Sequence, residues 1–157
     1  MIKAIFAVDS NGGIAKNGIM PWPRDPSDLK RFKNLTTGHA IIMGKKTWDA
    51  VDMPSPLPNR YNVVVTTGIA PGADHITTIQ DLPEIIEYLE KRFEIVWIIG
   101  GAQLLVSMLD QIQEIYLTDF VGNFSCDTTI NMHEYLSEFT LLDTEFGENK
   151  KWEIWSR

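Results

Sequence analysis

Residues Ile95–Leu109 read IVWIIGGAQLLVSML. Five consecutive apolar residues, Ile95–Ile99, show no alternation, as expected of a strand covered on both faces rather than one. Gly100 and Gly101 end the run, and Gln103–Leu109 continues as a helix of mostly apolar residues. A buried strand that turns straight into a helix is the repeating unit of an α/β sheet. The two glycines admit two readings: an ordinary tight turn, or a place where backbone approaches a phosphate closely. The full GxGxxG pattern is absent, since Ala102, Gln103 and Leu104 follow.

The same alternation of elements extends outward from this stretch. Leu82–Arg92 is predicted as a helix before it and Glu114–Phe120 as a strand after it. Ile2–Val8 and the Val-rich Tyr61–Thr66 are predicted as strands. A short strand is expected over Ala40–Met43 and a short helix over Lys45–Val51. Asp25 is a plausible N-cap, Pro26 a first helical residue and Gly38 a stop, which predicts a helix to about Thr37. Phe139–Thr144 and Trp152–Trp155 alternate as a terminal hairpin would. The expected fold is therefore α/β: one domain over residues 1–157, a three-layer sandwich with a mostly parallel central sheet, helices on both faces and an antiparallel C-terminal edge hairpin. Asp9–Trp22, DSNGGIAKNGIMPW, breaks the pattern with three Gly, two Asn and one Pro, and should be a long functional loop.

Apolar residues make up 44% of the 157 and charged residues 22%, a globular composition. The net charge of −7 carries no basic stripe, which argues against nucleic acid. The split apolar run at 95–109 is too short to span a bilayer. Cys126 is the only cysteine, and the N-terminal apolar run is too brief for a signal peptide. A cytoplasmic protein is expected. His39, His75 and His133 lie far apart with no carboxylate at a telling offset, so neither a nucleophilic triad nor a metal site is predicted. Chemistry is expected to belong to a cofactor.

Three candidate positions remain. Asp28 shares helical spacing with Phe32 and Leu35, on the expected core-facing stripe. It either offsets the helix dipole from the first turn or faces a pocket and accepts hydrogen bonds from a heterocycle. Gly44-Lys45-Lys46-Thr47 places two cations and a hydroxyl where a strand meets a helix, to bind phosphate or to lie solvated. Arg60 can offer a bidentate fork to a carboxylate.

Six segments in order, IFAVDSNGGIAKNGIMPW, DLKRFK, IIMGKKTW, LPNR, IIGGAQL and IYLTDF, resemble dihydrofolate reductase over nearly the whole chain. The resemblance implies NADPH-dependent reduction of 7,8-dihydrofolate to tetrahydrofolate, for one-carbon metabolism, in a cytoplasmic monomer that is an antifolate target and binds neither membrane nor nucleic acid. It assigns catalysis to Asp28, with Trp22 and Met20 beside it. Ile5 and Ile99 would present carbonyls to the pterin, with Phe6 adjacent. Leu29, Phe32 and Leu57 would wall it, Arg60 would bind the glutamate tail and Thr118 would support Asp28. Ala7, Ile14 and Met20 would lie against nicotinamide. Gly44, Lys45, Lys46, Thr47, Thr66 and Thr67 would hold the cofactor phosphates, Gly100, Gly101, Ala102, Gln103 and Leu104 would cradle the pyrophosphate, and Leu105 would lie beside the nicotinamide. Ala15 stands where the family commonly has Gly, Leu105 where Tyr is frequent and Gln103 where relatives carry Arg. The alternatives are a reductase of the same fold acting on a pyrimidine of riboflavin synthesis, which would not need Asp28 and Arg60 together, and a noncatalytic nucleotide-binding module.

Overall fold

In the computed structural model, which describes residues 1–157, the alternation of buried strands and helices produces one eight-stranded sheet. The elements are β1 (Ile2–Asp9), β2 (Gly13–Ala15), α1 (Pro26–Thr36), β3 (Ala40–Gly44), α2 (Lys45–Asp49), β4 (Tyr61–Val65), β5 (His75–Thr77) and α3 (Leu82–Arg92). They continue with β6 (Val96–Gly100), α4 (Ala102–Met108), a single 3-10 turn (Leu109–Gln111), β7 (Glu114–Phe120), β8 (Thr128–Thr129), α5 (Met132–Tyr135), β9 (Thr140–Gly147) and β10 (Lys150–Ser156).

The sheet order is β5-β4-β3-β6-β1-β7-β10-β9. The first six strands are mutually parallel, and β10 joins β7 and β9 antiparallel. This is the expected α/β class with its antiparallel edge hairpin. β2, inside the segment expected as a loop, pairs with β8 in a separate two-stranded ladder.

Period-2 geometry sorts the strand residues between two cores. Ala4, Val8, Ala40, Ile42, Val63, Val96, Ile98, Ile115 and Leu117 point into the larger cluster, which α3 and α4 complete with Leu82, Ile86, Leu89, Leu105 and Met108. Their neighbours in sequence, Ile5, Ile41, Met43, Val64 and Trp97, point to the opposite face and build a smaller cluster with Trp48 and Leu57. Phe32 and Leu35 of α1 pack on that second face. The three layers follow from this division.

α1 begins as its sequence dictates. The Asp25 side chain accepts the Asp28 N–H at 3.0 Å, and Pro26 follows at the first helical position. β9 lies at the sheet edge with almost every residue exposed, Phe146 among them at 79%.

Candidate active site

The parallel strands end together along one side of the sheet, where ligands of open α/β folds bind. The C-terminal ends of β3 and β6 carry Gly44 and Gly100-Gly101. A Cβ on Gly44 would come within 3.8–3.9 Å of the Gly101 N and Gly100 O, and one on Gly100 or Gly101 within 3.7–3.8 Å of the Thr47 hydroxyl. Side chains there would fill a cradle that the glycines leave open. Gly100 has φ +128°, a conformation that L side chains rarely adopt. Gly44 and Gly101 also begin α2 and α4 without a side-chain cap, so no side chain covers the first N–H groups of either helix. The cradle, the uncapped N–H groups and Thr47 fit a pyrophosphate.

The cations near this cradle differ in their engagement. Lys45 pairs with Asp49 one turn on, Nζ to Oδ1 at 2.9 Å, whereas Lys46 is exposed and forms no ion pair. Thr66 and Thr67 follow the end of β4, the neighbour of β3. The Thr66 hydroxyl accepts the Gly68 N–H at 3.1 Å.

On the face of the smaller core, Asp28 in the first turn of α1 is half-buried. Its Oδ1 accepts two hydrogen bonds, from the Thr118 hydroxyl at 2.7 Å and from the Trp152 indole N–H at 2.9 Å. Its Oδ2 receives none from the protein, and no lysine or arginine forms an ion pair with it. The Asp28 side chain thus turns toward the sheet, although it also lies in the first turn of α1. Ile5, Phe32, Leu57 and Ile99 lie on this same face.

Arg60 is half-buried and has no acidic partner. It donates through Nε to the Pro58 carbonyl at 2.9 Å and through Nη1 to Thr36 Oγ1 at 3.2 Å, and its guanidinium lies 6.0 Å from the Phe32 ring centroid. Burial pulls its pKa below the usual arginine value. A guanidinium held this way, unpaired on a negative protein, favours an anion. Asn62, 1% exposed, sets its position: the side chain accepts the Leu57 N–H and donates to the Leu57 and Arg60 carbonyls, each at 2.9 Å.

The loop from Asp9 to Trp22 is anchored at both ends. Asp9 is buried, which raises its pKa, but the N–H groups of Gly13, Phe124 and Asn11 outweigh burial and leave the carboxyl below its ordinary value. The Asn17 N–H binds Asp127 Oδ2 at 2.8 Å, and the Asp127 N–H binds the Ala15 carbonyl at 3.0 Å. Trp22 is buried and stacks on Phe120 with ring centroids 5.0 Å apart. A cleft beside the start of α1 is bordered by Trp22, Ser27, Phe124 and Trp152.

Residues 1–154 match the family model described as dihydrofolate reductase. The chain belongs to the dihydrofolate reductase family. The dihydrofolate reductase of Bacillus subtilis (strain 168) is 37% identical over 127 residues, which cover 81% of this chain and 73% of that protein. That of Staphylococcus aureus (strain Mu50 / ATCC 700699) is 38% identical over 130 residues, 81% of this chain and 76% of the other. A solved structure of dihydrofolate reductase from Enterococcus faecalis, complexed with NADP(H) and RAB-propyl, superposes with a TM-score of 0.84 at 28% identity, covering all of this chain and 96% of that one. The family is one of NADP-dependent oxidoreductases, and no helix of this chain is long and apolar enough to cross a membrane.

Not every expected dihydrofolate reductase position turns toward the cleft. Phe6 packs on the larger core, edge-on to Tyr135 at 5.8 Å, because it alternates with Ile5; only its backbone can face the site. Leu105 is fully buried and Leu104 nearly so. The Leu105 side chain therefore offers no surface to a ligand, and its carbonyl accepts the Tyr135 hydroxyl at 2.9 Å. Ile14 also packs on the larger core, while Met20 is 45% exposed and its N–H lies 3.4 Å from Asp52 Oδ2. Ala102 is half-buried against the larger core, Gln103 is exposed, and Ala7 and Leu29 are half-buried. Sequence reasoning missed Trp152, Asn62 and Asp127, whose roles depend on strand register and loop contacts that no local pattern reveals.

Proposed function

We propose that Asp28 is the catalytic carboxylate of this dihydrofolate reductase, which reduces 7,8-dihydrofolate to tetrahydrofolate. The observation that carries the assignment is the half-buried Asp28 carboxylate, with one oxygen held by Thr118 and Trp152 and the other without a protein donor. A carboxylate in that setting recognises a planar heterocycle through its N–H groups and favours protonation of the ring.

Phe32, Leu29 and Leu57 wall the ring and the aminobenzoyl group, and the carbonyls of Ile5 and Ile99 border it. Arg60 binds the α-carboxylate of the glutamate tail. NADPH, when bound, supplies the hydride that is delivered to pterin C6. The Gly44, Gly100-Gly101 and Thr47 cradle holds its pyrophosphate, and Lys46, Thr66 and Thr67 lie at the neighbouring strand ends to hold the 2′-phosphate. Lys45 contributes there once released from Asp49. The loop through Met20, anchored at Asp9 and Asp127, covers the ring and limits water, while Trp22 borders the cleft by which a proton reaches N5. The whole chain acts as one domain. The single cysteine supports a cytoplasmic setting, the net charge of −7 argues against nucleic acid, and the family resemblance implies a monomer.

The test is oxidation of NADPH on addition of dihydrofolate, read as falling absorbance of the reduced nicotinamide, with NADH run in parallel. NADPH is expected to be strongly preferred. Asp28→Asn is expected to lower turnover at least about 100-fold near neutral pH with folding intact. Full turnover in that variant removes Asp28 from the site. The unpaired Arg60 beside Phe32 disfavours a pyrimidine substrate, which has no glutamate tail to bind.

A further inference from the structure

Trp152 lies outside every site position that the sequence singled out, yet its indole N–H reaches Asp28. It stands opposite Thr118 in the antiparallel ladder of β10 and β7. Two cross-strand neighbours on one sheet face therefore donate to the same carboxylate oxygen, at 2.9 and 2.7 Å. Two residues before Trp152, on the same face, Lys150 pairs with Asp25 at 2.8 Å and so ties down the cap of α1. β10 thus holds the first turn of α1 at two points, the second being the acid itself. The ring of Trp152 lies 5.4 Å from the Arg31 guanidinium and 5.2 Å from the Lys150 ammonium. Neighbouring cations polarise an indole and strengthen its N–H as a donor. The contact is not a generic need of buried indoles here, because the N–H groups of Trp97 and Trp155 are buried with no partner at all.

We propose that Trp152 is a positioning residue for the reaction. Together with Thr118 it fixes Oδ1 of Asp28, so that the carboxylate is set at one rotation and presents Oδ2 to the substrate ring. The inference rests on the catalytic assignment of Asp28. Without the indole donor the carboxylate can rotate about its terminal bond, and the productive orientation becomes one of several.

A double-mutant cycle tests this. Trp152→Phe keeps the ring and removes the donor. It is expected to lower kcat/KM for dihydrofolate by about tenfold, the worth of a hydrogen bond to a charged group, and to leave the KM for NADPH unchanged. In the Asp28→Asn background the same substitution is expected to change kcat/KM less than about twofold, because the group it acts through is gone. Equal losses in the two backgrounds, or no loss in either, overturn the proposal and leave Trp152 a packing residue. If Asp28→Asn alone has no effect, the catalytic assignment fails instead, a distinguishable result.

A second measurement does not depend on the Phe variant folding. Among the five indole N–H signals in a nitrogen-proton correlation spectrum, the one with cross-relaxation to Thr118 is expected to move upfield in Asp28→Asn. A stationary signal there overturns the proposal.

Discussion

Asp28 and Arg60 are the two charged side chains whose placement matters most, and their environments differ in a way that yields separate predictions. Asp28 is held by neutral donors, whereas Arg60 is held by a carbonyl and a hydroxyl and keeps its charge unpaired. Arg60→Ala is expected to raise the KM for dihydrofolate by about 10- to 100-fold with little change in kcat, since it removes a charged contact remote from the reacting atoms. A pterin that lacks the glutamate tail is expected to show no such change in steady-state kinetics. An equal change for both would mean that the substitution disturbs the Phe32 wall rather than the tail contact. Both residues were legible in the sequence, Asp28 by its helical spacing and Arg60 within the LPNR motif. Trp152 and Asn62 were not. Their partners lie across strand pairings and loop closures, and the pattern of WEIW in the terminal strand predicts which face a tryptophan takes but not which residue it meets.

At the scale of elements, the long helices and strands were readable because each buries a periodic apolar set. α3 and β7 have the bounds that their patterns predict. β5, β8 and α5 were not predicted. They are two to four residues long, too short to show a period, and exist through neighbours already in place: β5 extends β4, and β8 pairs with β2. That β2–β8 pairing also explains the tolerance for Ala15, which takes an extended conformation in the ladder, while Asn17 and Gly18 take the positive φ values.

The start of α1 gives the element-scale prediction. Burial alone would raise the Asp25 pKa, but the Lys150 ammonium, the Ser27 hydroxyl and the Asp28 N–H bring it down to about 2 from 3.8. A carboxyl depressed on folding adds stability that is complete above its unfolded value and is lost as pH falls through its folded value. Asp25→Ala is expected to cost about 2 to 4 kcal/mol at pH 7, from the lost cap and the buried Lys150 ammonium left unpaired. The gap between wild type and variant in chemical denaturation should close as pH falls from about 4 to about 2. A gap that persists undiminished at pH 2 would contradict the ion pair.

For the whole molecule, the strand order could not be read from sequence, because local pattern says which residues are buried but not which strand lies beside which. The order matters to function: β6 inserts between β3 and β1, bringing the glycines of β3 and β6 to adjacent strand ends. A ligand bound there bridges segments more than fifty residues apart and stabilises the fold by mass action. NADPH at about one hundred times its Kd is expected to raise the melting temperature by about 5 to 10 °C. NADH at the same concentration should do much less in the same thermal melt.

The two donors that set Asp28 are 90 and 124 positions distant along the polypeptide. Closing contacts that remote is slow, and the second, from Trp152, also awaits the alignment of β10 against β7. During refolding from denaturant, catalytic competence should therefore emerge as the last event, lagging the recovery of backbone circular dichroism. The enzyme's turnover would then serve as a clock for the arrival of its final strand.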